Sequence, residues 1–160
     1  MAKSLAPDTV ERVAGLGALA LLSVVMTAVW RGMPHWGELP ITIWVHLAAM
    51  IVVLVLTPLL LWRRRGTRAH RVLGWVWAIA MLVSAADSAL VKTVNPGHFS
   101  PIHLLSVLVL FAVPLAVFNA RRHRVAEHRR TMRALTIGAL LIAGFFTFQF
   151  GRLLGRWLFG

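Results

Sequence analysis

The chain has 160 residues, 59% of them apolar, a formal net charge of +12 and no cysteine. Soluble domains are about one-quarter charged; here 14% of residues are charged, gathered in clusters between long apolar runs, which is the pattern of an integral membrane protein. The lack of thiols excludes disulfides, thiolate metal sites and cysteine-held iron–sulfur clusters.

At about 20 residues per span, five runs qualify, and they predict an all-α membrane bundle of five transmembrane helices in one domain over 1–160. The first, 13–30, is long enough to span and lacks a small-residue cleavage site, so it reads as a retained helix and not a signal. The second, 41–62, carries His46 about one turn from its start. The third, 71–91, follows His70 and holds Asp87 near its far end. The fourth, 102–120, opens with "FSPIHLLS": Ser100 is a natural N-cap, Pro101 suits the first helical position, and His103 falls in the first turn. The fifth, 134–155, follows His128 and carries Gln149 and Arg152. Helices two to five would form a four-helix cofactor-binding core.

The connections are short, so neighbours are antiparallel. The link 63–71 carries five arginines and 121–133 carries six; with Lys3 and Arg12 one face holds thirteen basic residues, against Arg31, Lys92, Arg152 and Arg156 on the other. The positive-inside rule then puts the N-terminus and both basic links in the cytoplasm and the C-terminus outside. Trp30, Trp36, Trp44 and Trp157 fall at the outer interface and Trp62 at the inner one. Charge confined to such links points to anionic lipid headgroups, not nucleic acid.

This topology sorts the histidines into layers. His46 and His103 lie near the outer face on helices two and four; His70 and His128 lie near the inner face at helices three and five. The stretch from His46 to Trp62 separates the layers by roughly 24 Å at 1.5 Å per residue. Pairs on alternating helices suit b-type haem, whose iron takes one imidazole from each side of the ring. Faces running through Ala49, Met50, Val53 and Thr57, and through Gly74, Trp77, Met81, Ser84 and Ser88, are narrow enough to admit a flat ring. Arg71, Arg129 and Arg130, with Arg152 at the outer end, are candidate partners for haem propionates. His46 and His103 are expected to ligate the same cofactor. His35, His98 and His123 read as ordinary hydrogen-bonded end residues.

Two resemblances attach to these residues. The strings "HRVLGWVW" (70–77), "FSPIHLLS" (99–106), "HRRTM" (128–132) and "FTFQFGR" (146–152) resemble an uncharacterised family of predicted bacterial membrane proteins, a domain of unknown function. That likeness covers the chain from about His46 onward and implies no activity. The histidine pattern is also similar to that of the two-haem b-type cytochromes reducible by ascorbate. It implies haem held by His46 with His103 and by His70 with His128, and hence a membrane oxidoreductase moving electrons from quinol, ascorbate-like or oxygen-derived partners. In this chain His70 and His128 stand nearer the helix ends than that pattern has them.

A second chemistry competes at the outer face. Asp87 is the one carboxylate inside a span, about 25 Å along its helix from His70 and level with His46 and His103. Two imidazoles and a carboxylate suit zinc, copper or non-haem iron. Asp87 would otherwise pair with Arg152 or Lys92, or orient a ligating imidazole. Gln149 near Arg152 suggests a polar pocket for a quinone headgroup. The plainest alternative is a non-catalytic subunit, as a homo-oligomer or within a larger membrane complex.

Overall fold

The computed structural model describes residues 6–90, 101–149 and 151–160, and at 89–90 and 101–103 the backbone alone. Its described elements are helical throughout. Helix α1 spans Thr9–Arg31, α2 Ile41–Trp62, α3 Arg68–Leu90 and α4 Pro101–Arg121. These four are long and apolar enough to cross a membrane. A 3₁₀ helix, Met33–Glu38, joins α1 to α2.

The apolar runs set these limits to within a few residues, except at the two ends of the chain. Helix α1 begins ahead of its apolar run because Asp8 caps it. The Asp8 carboxylate accepts from the Glu11 N–H at 3.1 Å, while the Glu11 carboxylate accepts from the Asp8 N–H at 3.1 Å, a reciprocal capping box. The larger difference lies in the fifth run, expected as one helix over 134–155. Helix α5, Val125–Ala134, begins earlier, passes into a π-helix over Leu135–Ile142 and ends as the short helix α6, Ala143–Phe146. Turns then carry the chain to α7, Leu153–Phe159. Gly151, with φ +91°, takes a left-handed conformation that favours glycine, so the apolar run bends where hydropathy alone continues.

The helices pack in chain order: α1 on α2, α2 on α3, α3 on α4, and α4 on α5 and the π-helix, which returns to α1 and closes a ring. Small residues permit the closure. Gly17 lies against Leu141 and Gly144 against Leu21. Inside the ring Trp77, Leu54, Val53, Val113, Leu135 and Leu140 are fully buried. Trp77 donates its indole N–H to the Thr57 hydroxyl at 3.0 Å, and Thr57 donates to the Val53 carbonyl at 2.7 Å, so these two buried polar groups are paired. The outside of the ring is apolar as well, with Ile41, Leu104, Phe111 and Phe145 exposed. Contiguous exposed apolar surface of this kind needs a cover, and a bilayer supplies it.

The ring has two distinct ends. The start of α1 and the two arginine-rich links share one of them, because Glu11 of α1 pairs with Arg65 of the first link and Arg129 of α5. At the far end α7 packs against α1. There Arg31 donates to the Leu158 carbonyl and Trp36 to the Val29 carbonyl, the latter at 3.1 Å.

Candidate functional site

At the far end a cavity of about 140 Å³ lies within the ring. Helix α1 gives Leu21 and Val25, α2 His46 and Met50, α3 Met81 and Ser84, α4 Ser106, and the fifth segment Ala139 and Gly144. Of the face read on α3, Met81, Ser84 and Ser88 line the space, while Gly74 and Trp77 do not. His46 Nδ1 lies 3.3 Å from the Ser84 carbonyl oxygen and 3.2 Å from its hydroxyl. A carbonyl can only accept, so Nδ1 carries the proton and the lone pair of the neutral ring is on Nε2. Asp87 Oδ2 stands 3.8 Å from the same Nδ1. That oxygen is shielded from solvent and has no hydrogen-bond partner.

The expected partnership of Asp87 is therefore with His46, not with Arg152; Lys92 lies outside the described residues. His103 opens α4, and its side chain also lies outside them. Among the described residues no three of His, Asp and Glu gather as a metal-holding group. Of the three ligands expected for a metal ion at the outer face, the structure brings together His46 and Asp87.

At the arginine-rich end α3 and α5 bring His70 and His128 close enough to interact electrostatically. His128 Nδ1 donates to the Ala116 carbonyl of α4 at 2.9 Å, which leaves Nε2 with the lone pair. His70 Nδ1 is buried without a hydrogen-bond partner. Fourteen residues along α3 separate His70 from Ser84, the partner of His46, so the two histidine layers stand about 21 Å apart.

Four apolar helices of spanning length inside a closed ring decide the class, and the sequence profile of the family described as predicted membrane protein (DUF2306) matches residues 43–153. The chain belongs to that family. No curated protein and no solved structure matches the chain. The match to DUF2306 takes in the His70–His128 pair and all of the cavity lining except Leu21, Val25 and Leu154, and it leaves out the whole of α1.

The feature of this DUF2306 chain that sequence reasoning missed is a buried ion cluster at the arginine-rich end. Glu11 is 1% exposed. Arg129 meets it with two parallel bonds, Nε to Oε1 at 2.6 Å and Nη2 to Oε2 at 2.8 Å. Arg65 bonds the same carboxylate, and Arg133 Nη2 stands 3.3 Å from Oε1. Asp8 takes Arg133 and, at 3.2 Å, Arg129. Partial burial pushes the Asp8 carboxyl up, but the Glu11 N–H and the Arg133 guanidinium more than offset it and hold the pKa below the usual aspartate value. Arg129, expected to serve a propionate, is thus already engaged.

The remaining candidates are dispersed. Arg71 lies in the first turns of α3 and Arg130 in α5. Arg152 precedes α7, with its backbone N–H bonded to the Gln149 carbonyl at 3.1 Å. His35 sits 3.4 Å from Glu38 on the exposed 3₁₀ turn, and His123, with φ +56°, forms the turn between α4 and α5. His98 lies outside the described residues.

Proposed function

We propose that the chain is a membrane electron-transfer protein of the b-type cytochrome kind, its haem held between His70 and His128. The observation that carries this reading is the pairing of two imidazoles from alternate helices of the ring. Ligands on opposite sides of one iron must come from such facing positions. Each imidazole has a nitrogen to give. His128 keeps Nε2 free through its bond to Ala116, and the buried Nδ1 of His70 has no partner, a costly state unless something uses the ring. Arg71 and Arg130 neighbour the pair in sequence and would meet the propionates. Bound haem would supply one-electron chemistry, and the chain would hold its iron at a fixed depth.

The histidine pattern also suggests a second haem between His46 and His103. The side chain of His103 lies outside the described residues, so one haem is proposed, at the inner pair. The arginine asymmetry supports an inner-membrane location with the N-terminus and the two basic links in the cytoplasm.

The test is a reduced-minus-oxidised spectrum of the protein purified after haem-supplemented expression. His70→Ala and His128→Ala should each abolish the b-type bands, with no further loss in the double variant, because two ligands of one iron act as a unit. His123→Ala and His46→Ala should retain them. A colourless wild-type protein, or bands unaffected by both inner substitutions, overturns the reading.

A further inference from the structure

We propose that the far-end cavity binds the headgroup of a quinol, a six-membered ring with para hydroxyls and an apolar tail. Size is the first argument. A dry cavity of about 150 Å³ accommodates benzene, and this one measures about 140 Å³. Setting is the second. The lining is mostly Leu, Val, Met and Ala drawn from membrane-length helices, so a ligand that arrives from the bilayer reaches it without crossing water.

Polarity is the third argument, and it selects a hydroxylated ring over a plain one. His46 lines the cavity with Nδ1–H directed at Ser84, which leaves the Nε2 lone pair to accept. A phenolic O–H is a donor that matches it. Asp87 stands behind the imidazole at 3.8 Å and raises its strength as an acceptor. Ser88 lines the same space, as does Thr147, whose hydroxyl donates to the Gly144 carbonyl at 2.6 Å and keeps its lone pairs for the second hydroxyl. The wall formed by the fifth segment is cut back to Ala139, Ala143 and Gly144. Ala139 lies in the π-helix, a rare form concentrated at functional positions, and Ala143 and Gly144 follow directly in α6. None of these residues belongs to the His70–His128 pair.

The experiment uses the full chain in lipid nanodiscs, prepared without added haem and titrated calorimetrically with reduced decylubiquinone against empty discs. One saturable site per chain is expected. His46→Ala removes the acceptor, and Ala139→Phe fills the space while leaving His46 and Asp87 intact; each should weaken binding at least tenfold, with helicity checked by circular dichroism. Absence of saturable binding overturns the proposal, as does wild-type binding by either folded variant. A b-type spectrum that vanishes in His46→Ala also overturns it, since the lone pair would then belong to iron. The titration succeeds or fails independently of the His70–His128 haem, whose spectrum is read on separate variants.

Discussion

Glu11 and Arg129 form a two-point ion pair, at 2.6 and 2.8 Å, that joins the first helix to the fifth across 118 residues of chain. Its worth is best measured by removing one side at a time. Glu11→Ala leaves Arg65, Arg129 and Arg133 without the carboxylate they share and should cost about 3–5 kcal/mol, the range for breaking a buried pair. Arg129→Ala leaves Glu11 with Arg65 and Arg133 still bound and should cost less. Thermal melting in detergent checks the order, and an equal or larger loss in Arg129→Ala would contradict it.

Acid should loosen the same end. The Asp8 pKa is depressed in the folded chain, so its contribution is fully present above the ordinary value of 3.8 and is lost as pH falls through the lower folded value. The melting temperature of the wild-type chain should therefore drop on acidification below that value. Asp8→Asn keeps a capping oxygen but no titrating charge, and it should flatten that part of the profile while lowering stability at neutral pH.

Two glycines make opposite forecasts. A Cβ on Gly155 would meet the Gln149 and Phe148 carbonyl oxygens at 2.6 and 2.7 Å, and backbone has little room to move. Gly155→Ala should cost about 1–3 kcal/mol as overpacking. A Cβ on Gly74 meets nothing within 4 Å, so Gly74→Ala should be neutral or stabilise α3 by up to about 1 kcal/mol through helix propensity. Denaturant titration of both variants decides.

Reporter fusions test orientation. Fusions after Gly66 and His123 should report cytoplasmic, and those in Met33–Glu38 and after Gly160 external, because both arginine-rich links lie at one end of the ring. A cytoplasmic C-terminus would mean that the segment from Val125 to Phe146 does not cross.

Helices α2, α3 and α4 were legible because unbroken apolar runs with short polar links leave a chain few other choices. The start of α1 was hidden by Glu11 and Arg12, which interrupt the apolar run, although Asp8 and Glu11 stand at capping-box spacing. The bend after Phe146 was not legible. Hydropathy stays high through Phe148, and a π-helix leaves no signature in a pattern read at 3.6 residues per turn. At the site, helix rise put Asp87 level with His46, but not the Ser84 carbonyl that fixes the imidazole, since backbone acceptors carry no sequence mark. The Glu11 cluster had one usable signal: two of the chain's five acidic residues open the helix that faces both arginine-rich links. Reading those arginines purely as topology concealed it.

The ion cluster also sets an order of assembly during synthesis. Glu11 leaves the ribosome first, Arg65 follows 54 residues later, and Arg129 118 residues later. Through most of translation the carboxylate has at most one of its partners, and α1 is held to the nascent bundle chiefly by α2. Closure of the ring waits for the last helix, whose arginines arrive already aligned by the turn at His123. The first helix made is thus the last to be locked.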